Sequence, residues 1–251
     1  MIYVYDGTWN GMMALVHRTA LEGAPEDILR SSSVLPDATA IVPDERLAGA
    51  VDAALSSRIG RRALRDAQLA LMSGTPGGEG GDGGMDLAVW RYLEQLWRLG
   101  RRASRDLADP CIGRVFHAAR AVAREYDRWR GLVRFQEAGG FYYAPFEPSS
   151  DVLPLLAGHF AKRLPDPWVL HDLRRGRAAL HDRGRWIITD ALPDGLAARI
   201  TKEEQAFREL WREFYCSAAI RERANPRCQA NFIPLWMRKH LIERPGESAR
   251  A

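Results

Sequence analysis

The sequence predicts an α+β fold: an antiparallel sheet, with a meander in its C-terminal half, packed by several amphipathic helices. Three observations predict it. Long segments repeat apolar residues at the helical period, most clearly Val115, Phe116, Ala119, Val122, Ala123, Tyr126 and Trp129. Three short strand-like runs, PWVLHDL, RAALHD and RWIITD, follow one another with RRG and DRG between them. Glycine in each break supplies the positive φ of a tight turn, so the runs read as a meander. Finally, 46% apolar and 27% charged residues is the balance of a globular chain.

The opening IYVYDG alternates and ends in Asp-Gly, a strand and its turn. Thr8 can cap a helix through Leu21, with Trp9, Met12, Met13 and Val16 inward. Pro25, Pro36 and Pro43 punctuate a looser stretch, and Asp44 to Met72 returns to the helical period. SGTPGGEGGDGG follows. No Gly-Lys-Ser/Thr follows it and no strand precedes it, so it reads as a linker rather than a phosphate loop. We take residues 1–251 as one domain with a flexible glycine-rich loop at about 73–84.

Asp86 to Arg105 reads as one helix with Leu87, Trp90, Leu93 and Trp97 on a stripe. Ile112 to Arg130 is another, and its polar face carries Arg114, Arg120, Arg124, Arg128 and Arg130. GGFYYAPFEP reads as a strand stopped by proline, and Ser150 or Asp151 caps a helix through Arg163. After the meander, Thr201 to Arg223 is helical, with Phe207, Leu210, Trp211, Phe214 and Ala218 as an expected buried stripe. Asn225-Pro226 interrupts it, and a last helix spans Leu235 to Ile242. No internal repeat stands out.

Charge is more informative than motif. Lys162, Lys202 and Lys239 are the only lysines among 36 basic residues, so arginine dominates. A GC-rich coding sequence would produce that bias, so only local clusters carry weight. One lies in HDLRRGRAALHD, where Arg174, Arg175 and Arg177 sit at a strand turn. Arginine's planar fork suits phosphate, and a rigid hairpin can present it. A second lies in IRERANPRCQANFIPLWMRKHL, with Arg221, Arg223, Arg227, Arg238 and Lys239 among Phe232 and Trp236. These eight cations are the candidate nucleic-acid contacts. Tyr142, Tyr143 and Trp168 are candidate base-stacking residues. Tyr142 and Tyr143 point to opposite faces of a strand, so on a one-sided sheet at most one is core.

The catalytic candidates are weaker. His171 has the right pKa range for a general base, with Asp6, Glu147 or Asp151 as its carboxylate. His171 and Asp172 are strand neighbours and point to opposite faces, so they do not form a base–orienter pair themselves. Cys111, Cys216 and Cys228 are odd in number and widely spaced, and no C-x-x-C occurs. We therefore expect no metal site and no cofactor. There is no run of 18 apolar residues and no signal-like N-terminus, so we expect a cytoplasmic protein without a membrane partner.

Two blocks carry a resemblance: VRFQEAGGFYYAPFEPSSDVLPLLAGHFAKRLPDPWVLHDLRRGRAALHD and FRELWREFYCSAAIRERANPRCQANFIPLWMRKHL, with YVYDGTWNGMMALV at the start. The chain resembles a bacterial family of DNA-metabolism proteins of unknown function. The resemblance implies similarity to the N-terminal extension of some uracil-DNA glycosylases and pairing with a radical-SAM protein. It carries no known active site. The radical-SAM C-x-x-x-C-x-x-C motif is absent here, as are the glycosylase signature blocks. The expected function is therefore a DNA-binding accessory protein in repair or modification, acting with a radical-SAM partner. The alternatives are a hydrolytic or glycosylase-like enzyme using His171 and a carboxylate, and a protein-interaction subunit that does not bind nucleic acid.

Overall fold

The computed structural model describes residues 1–30, 38–73, 84–192, 195, 199–220 and 225–243. They form two units, Met1–Ala123 and Arg124–Ala251. The glycine-rich loop predicted at about 73–84 lies, but for its two end residues, outside the described residues.

In the first unit, β1 (Ile2–Tyr5) is flanked by β2 (Asp27–Arg30) and β3 (Ala38–Ala40), and both pairings are parallel. Parallel neighbours need a long crossover, and α1 (Trp9–Glu22) supplies it between β1 and β2. Thr8 caps α1, its hydroxyl accepting from the Gly11 amide. α2 (Glu45–Ile59), α3 (Arg61–Leu71), α4 (Met85–Leu99) and the first part of α5 (Pro110–Leu132) complete the unit. Tyr3, Tyr5, Met12, Leu55, Leu93 and Val115 are among its buried core.

Two predicted helices are broken by glycine. The segment 44–72 splits at Gly60 (φ 90°), and the segment 86–105 ends its α-helix at Gly100 (φ 81°). A Cβ is strained at such φ values, which explains glycine at both corners.

In the second unit five strands lie in the order β4 (Gln136–Glu137), β5 (Tyr142–Phe146), β6 (Trp168–Asp172), β7 (Arg177–Asp182), β8 (Arg185–Thr189). The meander β6–β7–β8 is antiparallel as predicted. The sheet is mixed rather than antiparallel throughout, because β5 pairs with β6 in parallel. α6 (Leu153–Arg163) is the crossover that permits this. The α+β class holds, with the first strand in a separate parallel sheet. Trp129, Phe146, Leu156, Phe160 and Trp168 fill the core of the second unit.

α7 (Lys202–Ala218) keeps its predicted apolar stripe but does not bury it. Phe207, Leu210, Trp211 and Phe214 are 68%, 62%, 40% and 59% exposed. The period specifies a helix; it does not specify what covers it. Asn225 then caps α8 (Pro226–Phe232), with Pro226 in its first turn. A 3₁₀ segment, Leu235–His240, stands where the last helix was expected. Among the described residues no helix is long and apolar enough to cross a membrane.

Candidate nucleic-acid interface

The hairpin arginines divide into one free cation and two structural ones. Asp172 faces the core and is 0% exposed. A buried carboxylate needs a counter-charge and hydrogen bonds. Arg175, its side chain 3% exposed, supplies both: Nη1 donates to Asp172 Oδ2 at 3.0 Å. The same guanidinium donates to the carbonyls of Pro148 and Ser149. So Arg175 does not project from the turn. Burial pushes the Asp172 carboxyl up; Arg175 and the turn amides pull it back only in part. Arg177 is tied to Asp151 at 3.0 Å and lies 3.4 Å from Asp190. Arg174 is exposed, and among the described residues it makes no ion pair.

The C-terminal candidates are also dispersed. Arg238 is buried and its Nε donates to the Ile233 carbonyl. Lys239 and His240 both meet Glu147, which holds that carboxyl below its usual range. Arg227 is exposed on α8. Arg221 and Arg223 lie outside the described residues.

Alternation sorts the aromatics as strand geometry requires. Tyr142, Trp168, His181 and Trp186 form one cross-strand row on the same face. Trp168 is core, its ring stacked on His181 at 5.0 Å, and so is not available to stack on a base. Tyr142 is 39% exposed, whereas Tyr143 is buried on the opposite face.

There the Tyr143 hydroxyl lies 2.8 Å from His171 Nδ1. His171 thus has a phenol as its hydrogen-bond partner, not a carboxylate. Glu147 is held by Lys239 and Asp151 by Arg177. Asp6 accepts from the Thr8 amide and hydroxyl at the entry to α1. Removing those bonds in Asp6→Ala should cost about 1 kcal/mol of stability. It should leave nucleic-acid affinity unchanged in a binding titration.

Burial lowers the His171 pKa, so the fold favours the neutral ring more than the unfolded chain does. The unfolded chain then binds a proton that the folded one does not. Stability from this group is complete above about 6.5, the unfolded histidine value, and is lost as pH falls below it. Replacing His171 by Gln should flatten that part of the loss between about pH 7 and pH 5. Urea melts at the two pH values read it out.

The strongest basic feature is one that the motif reading missed. RIGRRALR (58–65) and RLGRRASR (98–105) are two copies of one pattern, R-x-G-R-R-A-x-R, each with four arginines and no acid. Both copies do the same structural work. The glycine amide closes the preceding helix, Gly60 onto Ser56 at 3.0 Å and Gly100 onto Leu96 at 2.8 Å. Its positive φ turns the chain, and a helix begins at once: α3 after Gly60, a 3₁₀ helix (Arg101–Arg105) after Gly100. Ala63 and Ala103 face the core, and the arginines face solvent.

The two corners lie against each other. Arg58 Nε donates to the Trp97 carbonyl at 3.1 Å, satisfying an oxygen of the last turn of α4. Arg101 packs on the bare backbone of Gly60, where a Cβ would sit 3.0 Å from its Cδ. Arg58, Arg61, Arg62, Arg65, Arg98, Arg101, Arg102 and Arg105 are all exposed. Arg98 pairs loosely with Glu94. Arg62, Arg65 and Arg120 surround Asp66, whose carboxyl burial pushes up and these cations pull back. Arg61, Arg101, Arg102 and Arg105 form no ion pair among the described residues. Comparing the chain with itself at an offset of forty residues would have found this corner.

Residues 84–243 match the model of a family described as a domain of unknown function, DUF4130. The chain belongs to the DUF4130 family. No curated protein and no solved structure matches it. The DUF4130 match takes in the hairpin and the second arginine copy; the first copy precedes it. Among the described residues no group of three or more His, Cys, Asp or Glu side chains is placed to hold a metal ion.

Proposed function

We propose that this DUF4130 protein is a DNA-binding accessory protein of repair or modification, working in the cytoplasm with a radical-SAM partner enzyme. The partner and the pathway rest on the family resemblance. The binding itself rests on one observation, the paired arginine corner of the first unit. Like charges repel, and a cluster of cations in excess over its acids, here Glu94 and Asp66, is relieved by a polyanion. Each exposed guanidinium can take a phosphate with two hydrogen bonds. Phosphate contacts of this kind give affinity and position without sequence preference.

The test is fluorescence anisotropy of labelled single-stranded and duplex DNA, intact and ultraviolet-damaged, across a salt series. Binding should weaken steeply with salt, each neutralised phosphate adding about 0.9 to the log–log slope on duplex DNA. Preference for damaged DNA would make the chain a lesion reader. An absence of binding at low salt would end the reading.

The exposed stripe of α7 favours a second reading, a protein-interaction subunit, because monomers rarely expose so much contiguous apolar surface. On that reading Phe214→Glu abolishes capture of the radical-SAM partner, and no DNA affinity is measurable at moderate salt.

A further inference from the structure

We propose that the arginine corner takes its DNA single-stranded, with one unpaired base stacked on the indole of Trp97. This deepens the DNA-binding reading and rests on it; the experiment below separates the two. Of the Trp, Tyr and Phe side chains in the first unit, Trp97 alone is exposed among the described residues. The helical period puts it on the stripe of Leu87, Trp90 and Leu93, which are interior. In the last turn of α4 the core ends. Leu93 and Leu96 are 0% exposed, and Trp97 is 48% exposed. Gly100 closes the helix three residues later. An indole has a large apolar face, and such rings are enriched where a surface meets a partner.

The ring stands where the two arginine copies meet. Arg58, from the first copy, donates to the Trp97 carbonyl at 3.1 Å. Arg98 follows Trp97 directly, and Arg101 reaches back onto Gly60. Arg58, Arg61, Arg101, Arg102 and Arg105 are exposed and form no ion pair among the described residues. The Arg98–Glu94 pair, at 3.4 Å, lies in solvent and is therefore weak. The indole itself makes no hydrogen bond and no ring contact among the described residues.

A cationic surface draws the phosphates of any nucleic acid. An exposed indole adds a preference, because its flat face stacks on the flat face of a base. In a duplex those faces are covered by the neighbouring base pairs. In a single strand a base can turn toward the ring while its phosphates stay on the guanidinium groups. Cations interleaved with an aromatic platform are the elements of single-strand binding. A membrane surface is the other setting for cations beside tryptophan. It requires an apolar helix face laid into the lipid, and the apolar face of α3 is interior: Ala63, Leu64, Ala67 and Leu71 are buried.

The experiment uses the full chain, a labelled oligothymidylate and a duplex of equal length, with anisotropy read across a salt series. We expect tighter binding of the single strand, and a preference that grows with salt, since the stack carries no charge. Trp97→Ala should cost the single strand at least about fivefold in affinity. It should leave duplex binding and both salt slopes unchanged, because no phosphate contact is lost. Trp97→Phe should restore most of the affinity. Because the alanine variant can perturb folding, the unaltered protein is also labelled with 5-fluorotryptophan and followed by fluorine NMR. Trp97→Phe identifies the Trp97 resonance among the eight tryptophans. That resonance should shift with oligothymidylate and stay in place with phosphatidylserine vesicles. Three results overturn the platform and leave the DNA reading standing: equal binding of the two DNA forms, a single-strand affinity that survives Trp97→Ala, or a Trp97 resonance that oligothymidylate does not move. If neither form binds at low salt, the DNA reading fails and the platform fails with it. A Trp97 resonance that then moves with the vesicles assigns the face to a membrane surface instead.

Discussion

Replacing Arg101, Arg102 and Arg105 together by alanine should weaken DNA binding by about 100-fold near physiological salt, three contacts at roughly 1 kcal/mol each. The salt dependence should lose about 2.7 units of slope on duplex DNA, 0.9 for each phosphate released. The loss should be nearly uniform across sequences, since phosphate contacts carry no base information. Folding stability is the control. All three side chains are exposed and form no ion pair among the described residues. The aliphatic stem of Arg101 packs on Gly60. Surface changes of this kind stay within about 0.5 kcal/mol, and relief of repulsion among neighbouring cations works in the stabilising direction. A variant that melts normally and still binds with the original slope would remove the corner from the interface. Lysine at the same three positions keeps the charge but not the fork, so it should recover the slope more fully than the affinity.

The hairpin gives the opposite expectation. Arg174 is exposed, Arg177 is paired with Asp151 and Arg175 is interior. At most one phosphate contact is at stake there. A run of arginines at a turn reads as a basic tip because charged side chains are rarely buried. Asp172 reverses that inference for Arg175, and nothing in the local sequence says that Asp172 faces inward until the register of β5, β6 and β7 is known. Once the register is known, alternation places Trp168, Leu170 and Asp172 on one face and His171 on the other.

The same limit explains the rest. The meander was legible because its turns are written in local residues, RRG and DRG, between period-two runs. The parallel β5–β6 pairing was not, since it depends on α6 carrying the chain back, a non-local event. The helical period in 207–218 was legible, but burial depends on a covering surface that the helix does not encode. The alternation of Tyr142 and Tyr143 was legible and holds. Their partners were not: Tyr143 reaches His171 only because parallel pairing sets Tyr143 opposite Val169, two residues away. The arginine corner is hidden for a different reason: arginine is abundant along the whole chain, and the two copies are separated by more than a helix, so neither looks exceptional alone.

Arg175→Ala should destabilise the second unit by about 3–5 kcal/mol, the cost of leaving a buried charge without its partner. Asp172 is 0% exposed, and Arg175 is the cation that meets it. The guanidinium also bonds the Pro148 and Ser149 carbonyls, so the substitution strips donors from the turn that leads into α6. Urea denaturation measures the loss, and Arg174→Ala, one residue away but exposed, should change stability by less than about 0.5 kcal/mol. The double variant Asp172→Asn/Arg175→Ala should recover part of the loss, because removing the charge removes the penalty that Arg175 offsets. A pH series adds an independent check. Burial already holds the Asp172 carboxyl above its ordinary value, and losing Arg175 raises it further. A carboxyl with a folded pKa above its unfolded one binds its proton more tightly in the fold, so stability is regained as pH falls through the folded value. The deficit of Arg175→Ala should therefore narrow on acidification, whereas a deficit from lost packing would not. If Arg175→Ala and Arg174→Ala unfold alike, Arg175 is not the interior staple of this hairpin, and its guanidinium returns to the list of cations that can meet DNA.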